Sequence, residues 1–314
     1  MKTTTLIAWL RAGFALILVG FNTVLHVLPL LLVALIKLLT PKGRVRRLLN
    51  HALAVIAESW IAVNSWMLDH LTSTQFEVEG IPEALAGTRF LVIANHQSWV
   101  DIPVLQKVFN RRLPLLRFFL KRELIWVPLL GLAWWALDFP FMRRHSRAEI
   151  EKRPELAGRD LEATRRACEK FSELPVAIMN FVEGTRFTEQ KRQAQGSPYR
   201  HLLRPRSGGI AFVIESLPGG IDRVIDVTIA YPGFRGRGPS LFELCANRVP
   251  RVRVVVREVQ LPHFGAALDY QHNAEHKTRF QAWLNALWSD KDRLLDRLLQ
   301  DEHDWQAGHS GSPT

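Results

Sequence analysis

Residues 89–101 read Arg89-Phe-Leu-Val-Ile-Ala94 and then Asn95-His-Gln-Ser-Trp-Val-Asp101. A short, almost wholly apolar run is what a strand needs when both faces of a parallel sheet are covered by helices. The polar segment after it then forms the loop at the carboxyl end of a central strand, the place where α/β sheets carry their chemistry. Similar apolar runs recur at 176–181 and 224–230, separated by helical stretches at 159–171 and 209–215. This alternation predicts an α/β domain.

Outward from that core, residues 251–259 interleave Arg and Val and are expected to form a late strand with one basic face. Apolar side chains at helical spacing predict an amphipathic helix over 53–71. A closing helix over 278–299 carries the stripe Phe280, Trp283, Leu284, Leu287, Leu294, Leu295 and Leu298. Near the start, Gly13 to Ile36 is about long enough to cross a bilayer core and is interrupted only by Asn22, Thr23, His26 and Pro29. It lacks the pattern of a cleaved signal peptide. Lys37, Lys42, Arg44, Arg46 and Arg47 follow it, a cluster that stays cytoplasmic under the positive-inside rule. Lys2 and Arg11 flank the other side, and Pro29 suits the bend of a shallow hairpin, so a span and a hairpin are both compatible with the sequence. The expected organisation is a membrane-anchoring segment at 1–50, one domain at 51–300 and a flexible tail at 301–314.

With 41 Lys and Arg against 30 Asp and Glu, the net charge of +11 favours anionic partners. Membrane phospholipid and phosphorylated metabolites fit. Nucleic acid is not expected, because the basic residues are scattered among apolar strands and form no recognised motif. Cys168 and Cys245 imply neither a disulfide framework nor a metal site, and a zinc hydrolase would need a second ligand at suitable spacing from His96.

His96 and Asp101 stand across a strand-to-helix turn, and Pro103 suits the first turn of the helix that follows. The carboxylate can bend back to one imidazole nitrogen, fixing the tautomer and leaving the other nitrogen as a base. A His-x-x-x-x-Asp pattern alone is common, and a histidine beside a strand is more often structural. A second polar turn, Phe181-Val-Glu-Gly-Thr-Arg186, also follows an apolar strand. Gly184 lets backbone approach a ligand, Thr185 supplies a hydroxyl and Arg186 a fork for phosphate oxygens, although an ordinary turn would look the same.

Together, in this order, the two blocks resemble the first and third blocks of the lysophosphatidate (PlsC-like) acyltransferases. Phe141-Met-Arg-Arg144 is similar to the second block, Val224 to Pro232 to the fourth, and Leu203-Arg-Pro-Arg206-Ser-Gly-Gly209 to a basic segment many members carry before a helix. The stretches at 124–144 and 226–232 suit a bacterial inner-membrane branch akin to the longer eukaryotic enzymes. The resemblance implies a mixed, mostly parallel sheet flanked by helices, behind a membrane helix or helical hairpin. It implies transfer of a fatty acyl group from acyl-CoA or acyl-carrier protein to the sn-2 hydroxyl of lysophosphatidate, with no cofactor and no metal. No Gly-x-Ser-x-Gly elbow offers a serine nucleophile, which agrees with direct transfer.

In this scheme His96 and Asp101 are catalytic, while Arg144, Glu183, Gly184, Thr185, Arg186 and Arg206 bind substrate. Glu183, repelled by phosphate, is expected to bond a glycerol hydroxyl or orient Arg186. Val182 departs from the proline common at its position, and Phe141-Met142 is a bulkier second block. The region 125–135, with Trp126, Trp134 and Trp135, is expected either to line an acyl tunnel or dip into the membrane, or to pack in the core. The expected partners are the bilayer, a lysophospholipid acceptor and the acyl donor, with the domain on the cytoplasmic face of the inner membrane. The rival functions are acylation of another lysophospholipid or lipid precursor, and a non-enzymatic basic protein of the membrane surface.

Overall fold

The computed structural model describes residues 2–81, 83, 87–142, 175–217, 220–234, 236–264 and 268–309. The strands are β1 (Gln75–Glu79), β2 (Phe90–Ala94), β3 (Leu116–Phe118), β4 (Leu120–Lys121), β5 (Phe141–Met142), β6 (Ala177–Phe181), β7 (Arg223–Ala230) and β8 (Arg251–Val259). Six of them form one sheet in the order β1-β8-β7-β2-β6-β3, and β4 pairs with β5 apart from it. Within the sheet only the β7 and β8 pairing is antiparallel, so the sheet is mixed and mostly parallel. Strand β2 is central, with β6 and β7 on either side, and every one of its residues is buried. That is why its sequence runs apolar without alternation.

The helices are α1 (Lys2–Leu39), α2 (Arg44–Leu71), α3 (Asp101–Phe109), α4 (Leu130–Ala136), α5 (Glu189–Ala194), α6 (Ser207–Ser216), α7 (Leu241–Cys245) and α8 (Ala274–His309). Phe90, Val92 and Ala94 of β2 face one apolar cluster that includes Val104 and Leu105 of α3, Leu53 and Ile61 of α2 and Ala34 of α1. Leu91 and Ile93 face the other, built with Ile210 of α6 and Phe280, Leu284 and Trp288 of α8. The predicted stripe of the closing helix is therefore its core-facing side.

The sequence left β1 and the short strands β3, β4 and β5 unassigned. Strand β1 pairs with β8, and Glu77 holds Arg251 and Arg253 at 3.1 and 2.9 Å, so the basic face expected on the late strand is partly neutralised within the sheet. Residues 159–171, expected as a helix, lie outside the described residues. The closing helix runs on to His309, through part of the segment expected as a tail, because no helix breaker interrupts it before Gly308.

Helix α1 is continuous through Pro29, so no hairpin bend occurs there. The chain instead turns at 40–43, and α2, beginning nine residues before the predicted Leu53, returns alongside α1. The polar residues that interrupt the apolar run of α1 face α2: Asn22 donates to Asn64 Oδ1 at 2.9 Å, Trp60 Nε1 donates to Thr23 Oγ1 at 3.2 Å, and His26 meets Ser59 Oγ at 3.1 Å. The turn into α2 lies upstream of residue 50, so the boundary drawn there falls inside a helix.

Both ends of α1 are also attached to the domain. Ala8 and Ala12 pack on Ala246, and the Trp9 ring lies 4.6 Å from that of Phe242 in α7. At the other end Lys37 is buried, 2.6 Å from Asp138 Oδ2 in the turn after α4. Leu6, Leu10, Phe14, Ile17, Phe21, Leu25, Leu28, Leu32, Leu35 and Leu39 remain exposed on the outer side, and Trp126 beside α4 is 85% exposed.

Candidate active site

The turn that follows β2 carries His96 to the end of the sheet. Asn95 is fixed first: its amide donates to Ile229 O at 2.9 Å and its carbonyl oxygen accepts Ile229 N–H at 2.9 Å. This double bond to β7 registers the loop against the neighbouring strand. Helix α3 then starts at Asp101, as the sequence predicts, and the Asp101 side chain turns back into the loop. Its Oδ2 accepts the backbone N–H of Gln97 at 2.7 Å and of Ser98 at 2.9 Å, and lies 2.8 Å from His96 Nδ1. A carboxylate only accepts, so Nδ1 carries the proton and Nε2 is left as the basic nitrogen. Asp101 is fully buried, while the His96 side chain keeps 15% exposure and stacks on the Phe181 ring at 3.9 Å.

The second loop abuts the first. Phe187 N–H donates to His96 O at 2.7 Å, and His96 N–H donates to Glu183 Oε1 at 3.0 Å. Glu183 Oε2 accepts Leu203 N–H at 2.9 Å, and the whole side chain is buried. This differs from the role expected for it. Glu183 neither faces a ligand nor orients Arg186; it ties three loops together through their backbones, because its position after β6 points it inward beneath the turn. Burial, reinforced by the negative charge of Asp101, pushes its carboxyl up to about 8, against the pull of the two N–H donors and the Lys291 ammonium.

Gly184 closes the turn at φ 71°, a conformation that favours glycine, with its N–H bonded to Phe181 O at 2.9 Å. The valine in place of the common proline does not loosen this turn: Val182 is buried and its carbonyl accepts Arg206 N–H at 2.7 Å. The Arg206 side chain lies over Gly184, at the N-terminus of α6. Lys191 braces the loop from outside, donating to Thr185 Oγ1 at 2.8 Å and to Arg186 O at 3.0 Å. Arg186 is exposed, its guanidinium 4.9 Å from the ring centre of Trp99, itself 48% exposed. Exposed cationic groups, a glycine turn and the start of a ten-residue helix thus converge beside His96, an arrangement suited to an anion. Arg144 lies outside the described residues.

Three contributors carry no distinctive sequence signal. Tyr231, fully buried at the end of β7, donates its hydroxyl to Asp101 Oδ1 at 2.6 Å. Trp99 meets Arg186 from a loop that adjoins it only in three dimensions, while Lys191 reaches back to Thr185 from the first turn of α5. The tyrosine had one available clue, since a buried phenol ending an apolar strand must find a hydrogen-bond partner.

A histidine held by a buried carboxylate, next to a basic turn at the carboxyl ends of parallel strands, gives an α/β site whose chemistry suits proton transfer beside a bound anion. The profile of the family described as Acyltransferase matches residues 75–232, just over half of the chain, and the chain belongs to that family. It is similar to human 1-acyl-sn-glycerol-3-phosphate acyltransferase gamma, 28% identical over 306 residues that cover 93% of this chain and 76% of that protein. It is 26% identical over 260 residues to Arabidopsis thaliana probable 1-acyl-sn-glycerol-3-phosphate acyltransferase 5, covering 78% of this chain and 62% of that one. The crystal structure of the 1-acyl-sn-glycerophosphate (LPA) acyltransferase PlsC from Thermotoga maritima superimposes with a TM-score of 0.56 at 18% identity, over 93% of this chain and 97% of that chain, a likeness of fold.

Proposed function

We propose that the protein transfers a fatty acyl group from acyl-CoA or acyl-carrier protein to the sn-2 hydroxyl of lysophosphatidate, giving phosphatidate. The observation that carries this reading is the adjacency of the His96–Asp101 pair and the Arg186 turn, joined by the bond from Phe187 N–H to His96 O at 2.7 Å. His96 Nε2 takes the proton of the acceptor hydroxyl as its oxygen attacks the thioester carbonyl. The carbon–sulfur bond then breaks, and the thiolate leaves with a proton. Asp101 holds the imidazole and stabilises the imidazolium that forms. Arg186, Arg206 and the start of α6 hold the acceptor phosphate, with Arg144 joining them, and Gly184 and Thr185 shape the turn. A positioned base contributes a factor of about 10² to 10⁴, so alignment of donor and acceptor supplies much of the rest.

On this reading the chain works at the cytoplasmic face of a bacterial inner membrane, with α1 lying in one leaflet. Residues 6–39 are long and apolar enough to cross a membrane. Its attachments at Ala8 and Lys37 are nevertheless about 43 Å apart along the helix axis, and both belong to the same domain. A helix crossing a hydrocarbon core about 30 Å thick would carry one of these ends away from the domain. The outer leucine and phenylalanine row then meets lipid, and Lys42, Arg44 and Arg47 meet anionic headgroups.

The test is purified protein with lysophosphatidate, lysophosphatidylglycerol and other lysophospholipids, each with acyl-CoA and acyl-carrier protein, read by mass spectrometry. Phosphatidate as the main product is expected. Turnover confined to an acceptor without a terminal phosphate would replace the proposed acceptor.

A further inference from the structure

The segment between β4 and β5 is built as a rigid projection. A tight helical turn at Arg122–Trp126 leads into α4, and the two lie so close that a side chain at position 131, where the chain has Gly131, would collide with the Ile125 carbonyl. Leu129, between them, holds φ 63°, a conformation that an L side chain keeps only where surrounding contacts impose it. The far end of α4 is clamped from two sides. Lys37 of α1 donates to Ala136 O at 3.3 Å and pairs with Asp138, and Arg117 of β3 donates through Nε to Leu137 O at 3.2 Å. Ala133 and Ala136 face the core.

The other side of the projection is apolar and uncovered: Trp126 is 85% exposed, Leu132 51% and Trp135 44%. Holding an indole rigidly in water gives the fold nothing, since burying one is among the largest apolar gains a chain has. Its surroundings match a lipid leaflet. Helix α4 packs on the end of α1, where the outer row continues through Leu32, Leu35 and Leu39. Exposed Lys42, Arg44 and Arg47 follow that row, Lys121 and Arg122 are exposed at the base of the projection, and Glu123 is the single acid between residues 120 and 136. Tryptophan and leucine bordered by cations suit an interfacial element, with indole rings among the upper acyl chains and cations on anionic headgroups. The projection also starts from the wall of the catalytic groove. Phe118 of β3 lies 6.2 Å from the Phe181 ring, which stacks on His96, and β4 begins two residues later.

We infer that the projection at 122–136 is a second membrane contact of this chain, in which Trp126 and Trp135 seat in the same leaflet as α1 and hold the site against the surface that supplies its lipid acceptor. This extends the lipid contact proposed for α1 and rests on the acyl-transfer reading for its kinetic readout.

The experiment places an environment-sensitive fluorophore on a single cysteine, made by Trp126→Cys in a Cys168→Ser/Cys245→Ser background. The control is Glu275→Cys in the same background, at the exposed start of α8, which packs on the other face of the sheet from α4. Vesicles of phosphatidylglycerol and phosphatidylcholine should shift the 126 probe to the blue, brominated acyl chains should quench it, and the 275 probe should not respond. In the otherwise unaltered chain, Trp126→Ala should weaken vesicle binding about tenfold. It should lower kcat/KM for vesicle-borne lysophosphatidate and leave that for a monomeric short-chain acceptor unchanged. A 126 probe that stays wet in the presence of vesicles overturns the inference, as does an equal loss on both acceptors. A blue shift that grows with protein concentration without vesicles also overturns it, because the face then belongs to a second copy of the chain. A parent inactive on every lysophospholipid overturns the acyl-transfer reading instead, and the probe spectra and vesicle binding then decide the membrane contact on their own.

Discussion

The Tyr231 hydroxyl donates to Asp101 Oδ1 at 2.6 Å, across 130 residues of chain, while the other oxygen of the same carboxylate serves His96. Burial raises the phenol well above its ordinary range, and the adjacent Asp101 charge adds to the effect, so Tyr231 stays a donor throughout the working pH range. The bond fixes one oxygen of Asp101 and so directs the other at the imidazole. Tyr231→Phe is expected to lower kcat about tenfold with KM for lysophosphatidate nearly unchanged, since a hydrogen bond to a charged group contributes about 1.5–3 kcal/mol. An unchanged kcat would limit Tyr231 to packing.

Removing the base has the larger effect. His96→Ala and Asp101→Asn should each reduce kcat by about 10² to 10⁴, because the first loses the proton acceptor and the second the orientation of Nε2. Vesicle co-sedimentation should be unaffected, as α1 is remote from this pair in sequence and carries its own apolar face. Turnover within a factor of a few of the parent in His96→Ala would remove the base from the mechanism.

Trp99 and Arg186 form one unit at the rim of the site, ring against guanidinium at 4.9 Å. Arg186→Ala is expected to raise KM for a phosphorylated acceptor more than for the acyl donor. Trp99→Ala should raise the same KM by a smaller factor, about two- to fivefold, in line with an exposed cation–π contact of about 0.5–1 kcal/mol. The double variant should show less than the product of the two effects. Fully multiplicative effects would mean that Trp99 acts independently of the arginine.

Glu183 links pH to stability. Its folded carboxyl titrates near 8, burial being the main cause, against an ordinary value of 4.5. An acid raised in this way binds its proton more tightly in the folded chain. Its contribution to stability is complete below about pH 4.5 and is lost as pH rises through about 8. Thermal unfolding of the parent should therefore fall over that window by an amount that Glu183→Gln lacks. Parallel curves for the two proteins would contradict the buried assignment.

Lys37 couples the amphipathic hairpin to α4 through Asp138. Lys37→Met strands the Asp138 carboxylate, which is partly exposed, and is expected to cost about 1–3 kcal/mol. The readout is the unfolding temperature in detergent, and Lys37→Met/Asp138→Asn should recover part of the loss.

Much of this architecture was legible in the chain because its core strands are buried on both faces. Runs such as Phe90–Ala94 and Arg223–Ala230 stand out from their surroundings, and the change to polar residues after β2 marks the loop that carries His96. Strands β3, β4 and β5 were not legible, being two or three residues long and drawing their pairing from neighbours. At the site, the His96–Asp101 contact is local and could be anticipated from spacing. The part played by Glu183 could not, since a carboxylate beside Gly-Thr-Arg has the same sequence whether it points at a ligand or at two backbone amides.

The sequence by itself determined the α/β class, the pairing of His96 with Asp101 and the apolar character of the first helix, because each depends on residues close together along the chain. Only the tertiary structure decided that α1 folds back on α2 and is held at both ends, that Glu183 is an internal brace, and that Tyr231 stands behind the Asp101 carboxylate. Those facts follow from partners tens to more than a hundred residues apart, and the burial that makes an unpaired polar group costly exists only once the sheet and its helices have closed around it.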